Sequence, residues 1–193
     1  MDVKKEIRVL GIDDAPFIKG KSKEVLVIGV VFRGGEFLDG VLSTYIECDG
    51  NDATQKIIEM VNRSTHRLQL RVMMTDGIAF GGFNLIDIQE IFEQTKIPVI
   101  VVMRYYPDVE RMKHALMKFS DFQERVDKLL KAGEIHEFQV KQGKIYYQFH
   151  GTTRQMVERV LQTTLKRGLV PEPLRVAHLI TTGIVFGESR GRA

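Results

Sequence analysis

The sequence predicts an α/β protein built on one mixed sheet, with three antiparallel strands followed by parallel ones and helices flanking them. Three observations lead there. A valine-rich run breaks at Gly34 and Gly35 and returns as a second extended run, the mark of a hairpin. Beyond Cys48 the apolar residues shift to helical spacing, and helix-like and strand-like stretches then alternate. Two apolar runs, GIDDAPF at Gly11 to Phe17 and MMTDGIAFGGFN at Met73 to Asn84, pass into carboxylates and then break at Pro or Gly. Such runs leave acidic side chains at strand ends, where α/β folds build their sites.

Taken in order, Ile7 to Ile12 is apolar nearly throughout and is expected to be a central strand buried on both faces, with Asp13 and Asp14 at its end. Glu24 to Phe32 is the second strand. Gly34 and Gly35 supply the positive φ of a tight turn before Glu36 to Cys48 returns as the third. Ile57, Ile58 and Val61 recur at helical spacing, and Asp52 with Gln55 three residues on makes a capping-box pattern, so the first helix runs from about Asp52 to Arg63. Leu70 to Thr75 is the fourth strand and delivers Asp76. Asn84 is expected to cap a helix with apolar face Leu85, Ile88, Ile91 and Phe92, and Lys96 to Met103 follows as the fifth strand. Strand, helix, strand in this length implies a right-handed parallel crossover.

Asp108 opens a helical region reaching Lys131, one element or two depending on a second capping box at Ser120 and Gln123. Glu137 to Val140 and Lys144 to Phe149 flank Gln142 and Gly143 as a hairpin. Thr152 to Lys166 is an amphipathic helix, and the segment after Pro171 and Pro173 starts as helix. This succession of elements is that of the ribonuclease H type of fold, in which the first and fourth strands are neighbours. Asp13 or Asp14 would then meet Asp76 at one edge of the sheet, and two distant acidic stretches become one site.

With 193 residues, 44% hydrophobic and 27% charged, the chain suits a single domain over residues 1–193. A formal charge of +3 and a pI near 8.9 permit a phosphate-bearing partner without demanding one. One cysteine, Cys48, rules out an internal disulfide framework and a Cys-cluster zinc site. The opening MDVKKEIRVL has too short and too charged an apolar segment for a signal peptide, and no apolar run approaches the roughly 20 residues of a membrane span. A soluble, cytoplasmic protein is expected.

GIDDAPF resembles the GVD motif on the first strand of endonuclease V, and TDGIAFGGF resembles that family's DGHGIAHPR. IPVIVVMR is similar to its IPTIGVAK, and PEPLRVAHLI to its PEPLRLAH. The four segments keep their order and cover nearly the whole chain. The GIDD, DGNDAT and DGIAFGGFN segments also resemble an archaeal family, domain-of-unknown-function family 99. The endonuclease V likeness implies a metal-dependent phosphodiesterase acting on DNA or RNA, with Asp13 and Asp76 as metal ligands.

That chemistry asks for such residues. A cation neutralises the non-bridging phosphate oxygens and lowers the pKa of an attacking water. Hard oxygen ligands suit Mg²⁺ or Mn²⁺. The likeness departs at the Glu that endonuclease V carries in a PGLLSFRE segment, because GVLSTYIECDGNDATQ lacks it in register. Asp52 is the replacement expected here, with Asp49 and Glu47 behind it. The wedge with which that family opens its substrate is also missing, so specificity for a deaminated base is not carried over.

Each residue has a plainer role to set against the chemical one. Asp76 before Gly77 also suits a turn. Strand alternation puts only one of Asp13 and Asp14 on the site face, and Asp13 is the one expected there; Asp14 either ligates metal or bonds backbone ahead of Pro16. Asp52 also suits a helix cap, and Asp87 a first-turn acid facing the helix dipole. Gly81 and Gly82 form no Walker loop and suit a tight turn. Arg104, at a strand end, is expected to bind substrate phosphate or to be a solvated surface residue. Tyr105 and Tyr106 suit base stacking, although aromatics after a buried strand are expected to pack. His66, His114, His136, His150 and His178 show no metal-ligand spacing and are expected to be structural or surface residues, with His150 ending a strand near the site. Without the third carboxylate, a catalytically weak nucleic-acid-binding protein is the alternative to a nuclease.

Overall fold

A computed structural model describes residues 5–190. Its seven-stranded sheet has the order β3-β2-β1-β4-β7-β9-β8. Strands β1 (Arg8–Asp14), β2 (Glu24–Arg33) and β3 (Phe37–Glu47) form the antiparallel meander, and Gly34 with φ 60° opens the turn between the last two. β4 (Val72–Asp76) lies parallel to β1, and β7 (Val99–Met103) parallel to β4. β8 (His136–Val140) and β9 (Gly143–His150) close the far edge as a hairpin, β9 antiparallel to β7. β5 (Ala79–Phe80) and β6 (Asn84–Leu85) make a small ribbon beyond the end of β4.

Helices cover both faces. One apolar layer joins Leu10, Ile12, Met73, Val99 and Val101 of the sheet to α1 (Ala53–Arg63), α2 (Ile88–Thr95), α3 (Val109–Leu116) and α4 (Phe122–Lys131). The other joins Val9, Val72, Met74, Ile100, Val102 and Tyr147 to α5 (Arg154–Thr164) and α6 (Glu172–Phe186), and α6 extends over Ile28, Val30 and Phe32 of β2. The central strands are therefore apolar nearly throughout, up to the acids at their ends, because both of their faces are covered. No helix among the described residues is long and apolar enough to cross a membrane.

The expected order of elements is met, with local differences. β1 continues through Asp13 and Asp14, so these acids are its last two residues. β4 starts at Val72 rather than Leu70, after a 3₁₀ turn at Arg67–Gln69, and its last residue is Asp76. Lys96 and Ile97 are not strand: Lys96 closes α2 in the left-handed conformation at φ 60°. The helical region after Asp108 is two helices, and Asp121 rather than Ser120 precedes the second, its carboxylate accepting from Arg125 at 2.8 Å. α6 stays helical to Phe186 instead of only starting so.

Two capping expectations are corrected. Asp52 precedes α1 without a side-chain cap; its Oδ1 accepts from Glu47 N at 3.1 Å and Asn84 Nδ2 at 2.7 Å. Gln55 bonds Glu59 instead of reaching back. Asn84 does not cap α2 but sits on β6, where its Oδ1 accepts from Ala53 N at 2.9 Å and so satisfies the start of α1. Asp87 takes the α2 cap, accepting from Gln89 N and Glu90 N. A buried amide offers both a donor and an acceptor, which lets Asn84 join two chain segments where a carboxylate would meet a second one.

Candidate active site

Strand parity builds the site. Asp13 continues the row Val9 and Gly11, and Asp76 the row Val72 and Met74, both on the face covered by α5 and α6, while Arg104 is the first residue beyond the end of β7. The last paired row of β1 and β4 is Ile12 with Thr75, so Asp13 and Asp76 are the next residues on adjacent parallel strands. Such strands stand about 4.8 Å apart. Asp14 turns to the opposite face.

Helix α6 adds a residue that sequence spacing misses. His178 Nδ1 lies 3.1 Å from Asp13 Oδ2. The helix reaches the strand this closely because Gly11 has no side chain: a Cβ there would stand 2.5 Å from the Pro173 carbonyl carbon. At the start of α6, Glu172 Oε2 accepts from Arg175 at 2.6 and 2.9 Å, which clamps the first turn of the helix. His178 Nε2 is buried with no hydrogen-bond partner among the described residues. The residues PEPLRVAH thus place a histidine on the acid that ends β1. A search for paired histidines could not find it, and the only signal in the sequence was that string.

The electrostatics match the clustering. Asp76 is open to solvent at the rim, yet enough protein surrounds it that burial, and then the charge of Asp13, raise its pKa to about 6 against the opposing pull of His178 and Arg104. Burial also pushes Asp14 up to about 7, and the charges of Asp13 and Asp76 add to this, while the Gly81 N–H it accepts at 2.9 Å opposes it. His178 is raised by its hydrogen bond to Asp13, against burial. Carboxylates that resist ionising together are what a bound cation would relieve.

The other predicted residues divide. Arg104 is at the rim, close enough to bear on Asp76, with its guanidinium carbon 5.7 Å from the Tyr105 ring. Asp49, with φ 55°, accepts from Phe83 N at 2.9 Å, and a Cβ on Gly82 would strike its Oδ1. Asp49 and Asp14 therefore both hold the Gly81 to Phe83 turn, which answers the question of what those glycines do. Asp52 is engaged by Glu47 and Asn84 as described. Among the described residues no three of His, Cys, Asp and Glu side chains come together as a ready metal cage. The donor set still fits a hard divalent cation at Asp13 and Asp76, two carboxylates that end adjacent parallel strands at the rim.

Three expectations near the site are corrected. His178, expected to be a structural or surface residue without a part in the site, is half-buried and bonded to Asp13. His150 is not near them: it pairs with Val99 at the start of β7, the opposite end of the sheet from Asp76, and its ring meets Phe92 edge-on at 5.4 Å. Tyr105 and Tyr106 are not packed but 74% and 64% exposed. Burial and then the charge of Asp49 raise the thiol pKa of Cys48 and disfavour a thiolate.

Comparison with known proteins follows the same lines. A protein described as UPF0215 from Methanothermobacter thermautotrophicus is 50% identical over 192 residues, 99% of this chain and 94% of its own length. The crystal structure of a protein of unknown function from Archaeoglobus fulgidus superimposes with a TM-score of 0.84 at 42% identity, covering 92% of this chain and 98% of that one. Endonuclease V from Ciona intestinalis, in complex with a DNA containing an inosine followed by a ribo-adenosine, superimposes with a TM-score of 0.60 at 12% identity, covering 94% and 86%. That likeness shows the ribonuclease H-like fold. The model of the family described as Endonuclease dU matches residues 5–185, and the chain belongs to that family.

Proposed function

We propose that this protein is a divalent-metal-dependent phosphodiesterase that cuts DNA or RNA, with Asp13 and Asp76 holding Mg²⁺ or Mn²⁺. One observation carries the reading: two carboxylates end adjacent parallel strands on the same face, and a histidine of α6 is bonded to one of them. When bound there, the cation would supply charge neutralisation of the phosphate and a lowered pKa for water. His178 orients the Asp13 carboxylate, as partners of metal ligands do. Arg104 offers a planar guanidinium to a non-bridging phosphate oxygen at the same rim.

The family name and the fold likeness support a nucleic-acid substrate. A catalytically weak nucleic-acid-binding protein is the second reading, and one observation favours it. Asp49 and Asp52, the carboxylates expected to complete the site, are taken up by Phe83, Glu47 and Asn84. A cleavage screen with Mg²⁺ or Mn²⁺ against single- and double-stranded DNA and RNA separates the two. Cutting that disappears in the Asp13→Asn/Asp76→Asn double variant supports the nuclease; binding of the same strands without any cutting supports the second reading.

A further inference from the structure

Beside the acidic rim lies a group of aromatic rings for which the proposed chemistry has no use. β7 ends at Met103, and the chain continues through Arg104, Tyr105 and Tyr106. Tyr105 and Tyr106 are 74% and 64% exposed, in contrast to Tyr147 of β9, which is fully buried. Tyr106 does not stand alone. Its ring meets Tyr146 of β9 edge-on, with centroids 5.3 Å apart and planes at 85°. Met103 and Tyr146 are register partners one row beyond Val102, which is paired with Asp76, and Tyr146 alternates with Tyr147 and so turns to the face away from α5 and α6. Two strand spacings, about 10 Å, separate β9 from β4.

Cations flank the rings on both sides. The Arg104 guanidinium carbon stands 5.7 Å from the Tyr105 centroid, and Lys144 Nζ stands 5.6 Å from that of Tyr146. Lys144 is held there by an ion pair with Glu137 at 2.9 Å, and the exposed Lys141 lies at the tip of the same hairpin. Exposed rings usually occur singly and need no explanation. Here two adjacent rings are exposed, a third braces one of them, and Arg104, which bears on Asp76, stands against the first.

We propose that Tyr105 and Tyr106, braced by Tyr146 and flanked by Arg104 and Lys144, form a stacking platform for unpaired bases of the nucleic-acid strand that enters the acidic rim. The inference rests on the proposed function and adds the form of its substrate. Rings offer a π-face that any base can cover, and the flanking cations track the phosphates between bases. In a duplex the base faces are already covered by their neighbours, so the platform selects a strand that is single-stranded, or opened, on the side of β9.

The chain has no tryptophan and five tyrosines, three of them in this patch, so intrinsic tyrosine fluorescence reports on the platform directly. The full chain is titrated with short oligo(dT) and with an abasic strand of equal length, in Ca²⁺, whose looser coordination disfavours hydrolysis. Oligo(dT) is expected to quench the fluorescence and to bind about tenfold or more tightly than the abasic strand, the scale of one stacked base. Tyr105→Ala/Tyr106→Ala should bring the two strands to equal affinity with an unchanged salt slope, and Tyr105→Phe/Tyr106→Phe should keep the preference. Equal affinities of the wild type for the two strands, or a preference untouched by the alanine pair, overturn the platform and leave the proposed function standing. Binding of neither strand also overturns the platform, and the cleavage screen decides the proposed function separately.

Discussion

His178 and Asp13 stand 165 positions apart in the chain and 3.1 Å apart in the fold. The contact joins the last helix to the end of the first strand, and it makes α6 part of the site rather than a cover for the sheet. If His178 positions the Asp13 carboxylate, His178→Ala should weaken Mn²⁺ binding and any cleavage by about 10- to 100-fold, the usual cost of losing a partner of a metal ligand. The variant should keep its fold, because the His178 side chain is partly open to solvent. Calorimetric titration with Mn²⁺ checks this, and undiminished affinity would remove His178 from the site.

Gly11 carries the same relationship from below. Any side chain there meets the backbone of Pro173 at 2.5 to 2.6 Å, and backbone cannot swing aside as a flexible side chain can. Gly11→Ala should push α6 off β1 and cost about 1–3 kcal/mol. It should also lower Mn²⁺ affinity, although residue 11 has nothing to ligate with. Urea unfolding and Mn²⁺ titration of one preparation test both parts, and a stable variant with intact metal binding would show that α6 does not need this approach.

The acidic cluster also sets a pH dependence for the metal-free protein. Asp14 is raised to about 7 and Asp76 to about 6, both above the ordinary aspartate value of 3.8. Between those limits the folded state binds protons that the unfolded chain has released, so stability must fall as pH rises from about 4 to about 7. His178 acts in the same sense higher up: its raised pKa stabilises the fold below 6.5, and that contribution is lost as pH climbs through its folded value. Asp14→Asn can still accept from Gly81 N while losing the charge. It should flatten this slope and raise Tm at pH 8, by about 2–4 °C for each kcal/mol. Thermal denaturation in chelator from pH 5 to pH 8 provides the check, and an unchanged slope would mean that Asp14 ionises as an ordinary surface acid.

Asn84 supports the neighbouring corner. Its amide is fully buried and bonds Ala53 N, Glu47 O and the Asp52 carboxylate. Asn84→Ala leaves the N–H of the buried Ala53 without its acceptor and should cost about 1–3 kcal/mol. Asn84→Asp should be at least as damaging, because it sets a second carboxylate against Asp52. Chemical denaturation of the two variants compares them, and a neutral Asn84→Ala would mean that water replaces the amide.

What the sequence disclosed follows from the range over which each feature acts. The strand-end acids were legible because a strand, its carboxylates and the breaking Gly or Pro lie within a few residues, and the order of elements then brought Asp13 and Asp76 together. The caps were not. Asp52 and Gln55 have the right spacing for a capping box, but Asn84, 31 residues away, supplies the acceptor for Ala53 N, and no local pattern records it. Exposure of Tyr105 and Tyr106 was hidden for the same reason, since whether an aromatic after a buried strand packs depends on what stands over it. His178 gave no spacing signal because its partner is an aspartate at the other end of the chain.

The central claim is that Asp13 and Asp76 jointly hold a divalent cation, and Mn²⁺ titration of the wild type, Asp13→Asn, Asp76→Asn and the double variant tests it most directly. The account predicts saturable binding to the wild type and its loss in each single variant, with Asp76→Asn as stable as the wild type or more so without metal, because a like charge has been removed from the cluster. Undiminished Mn²⁺ affinity in Asp76→Asn would contradict it.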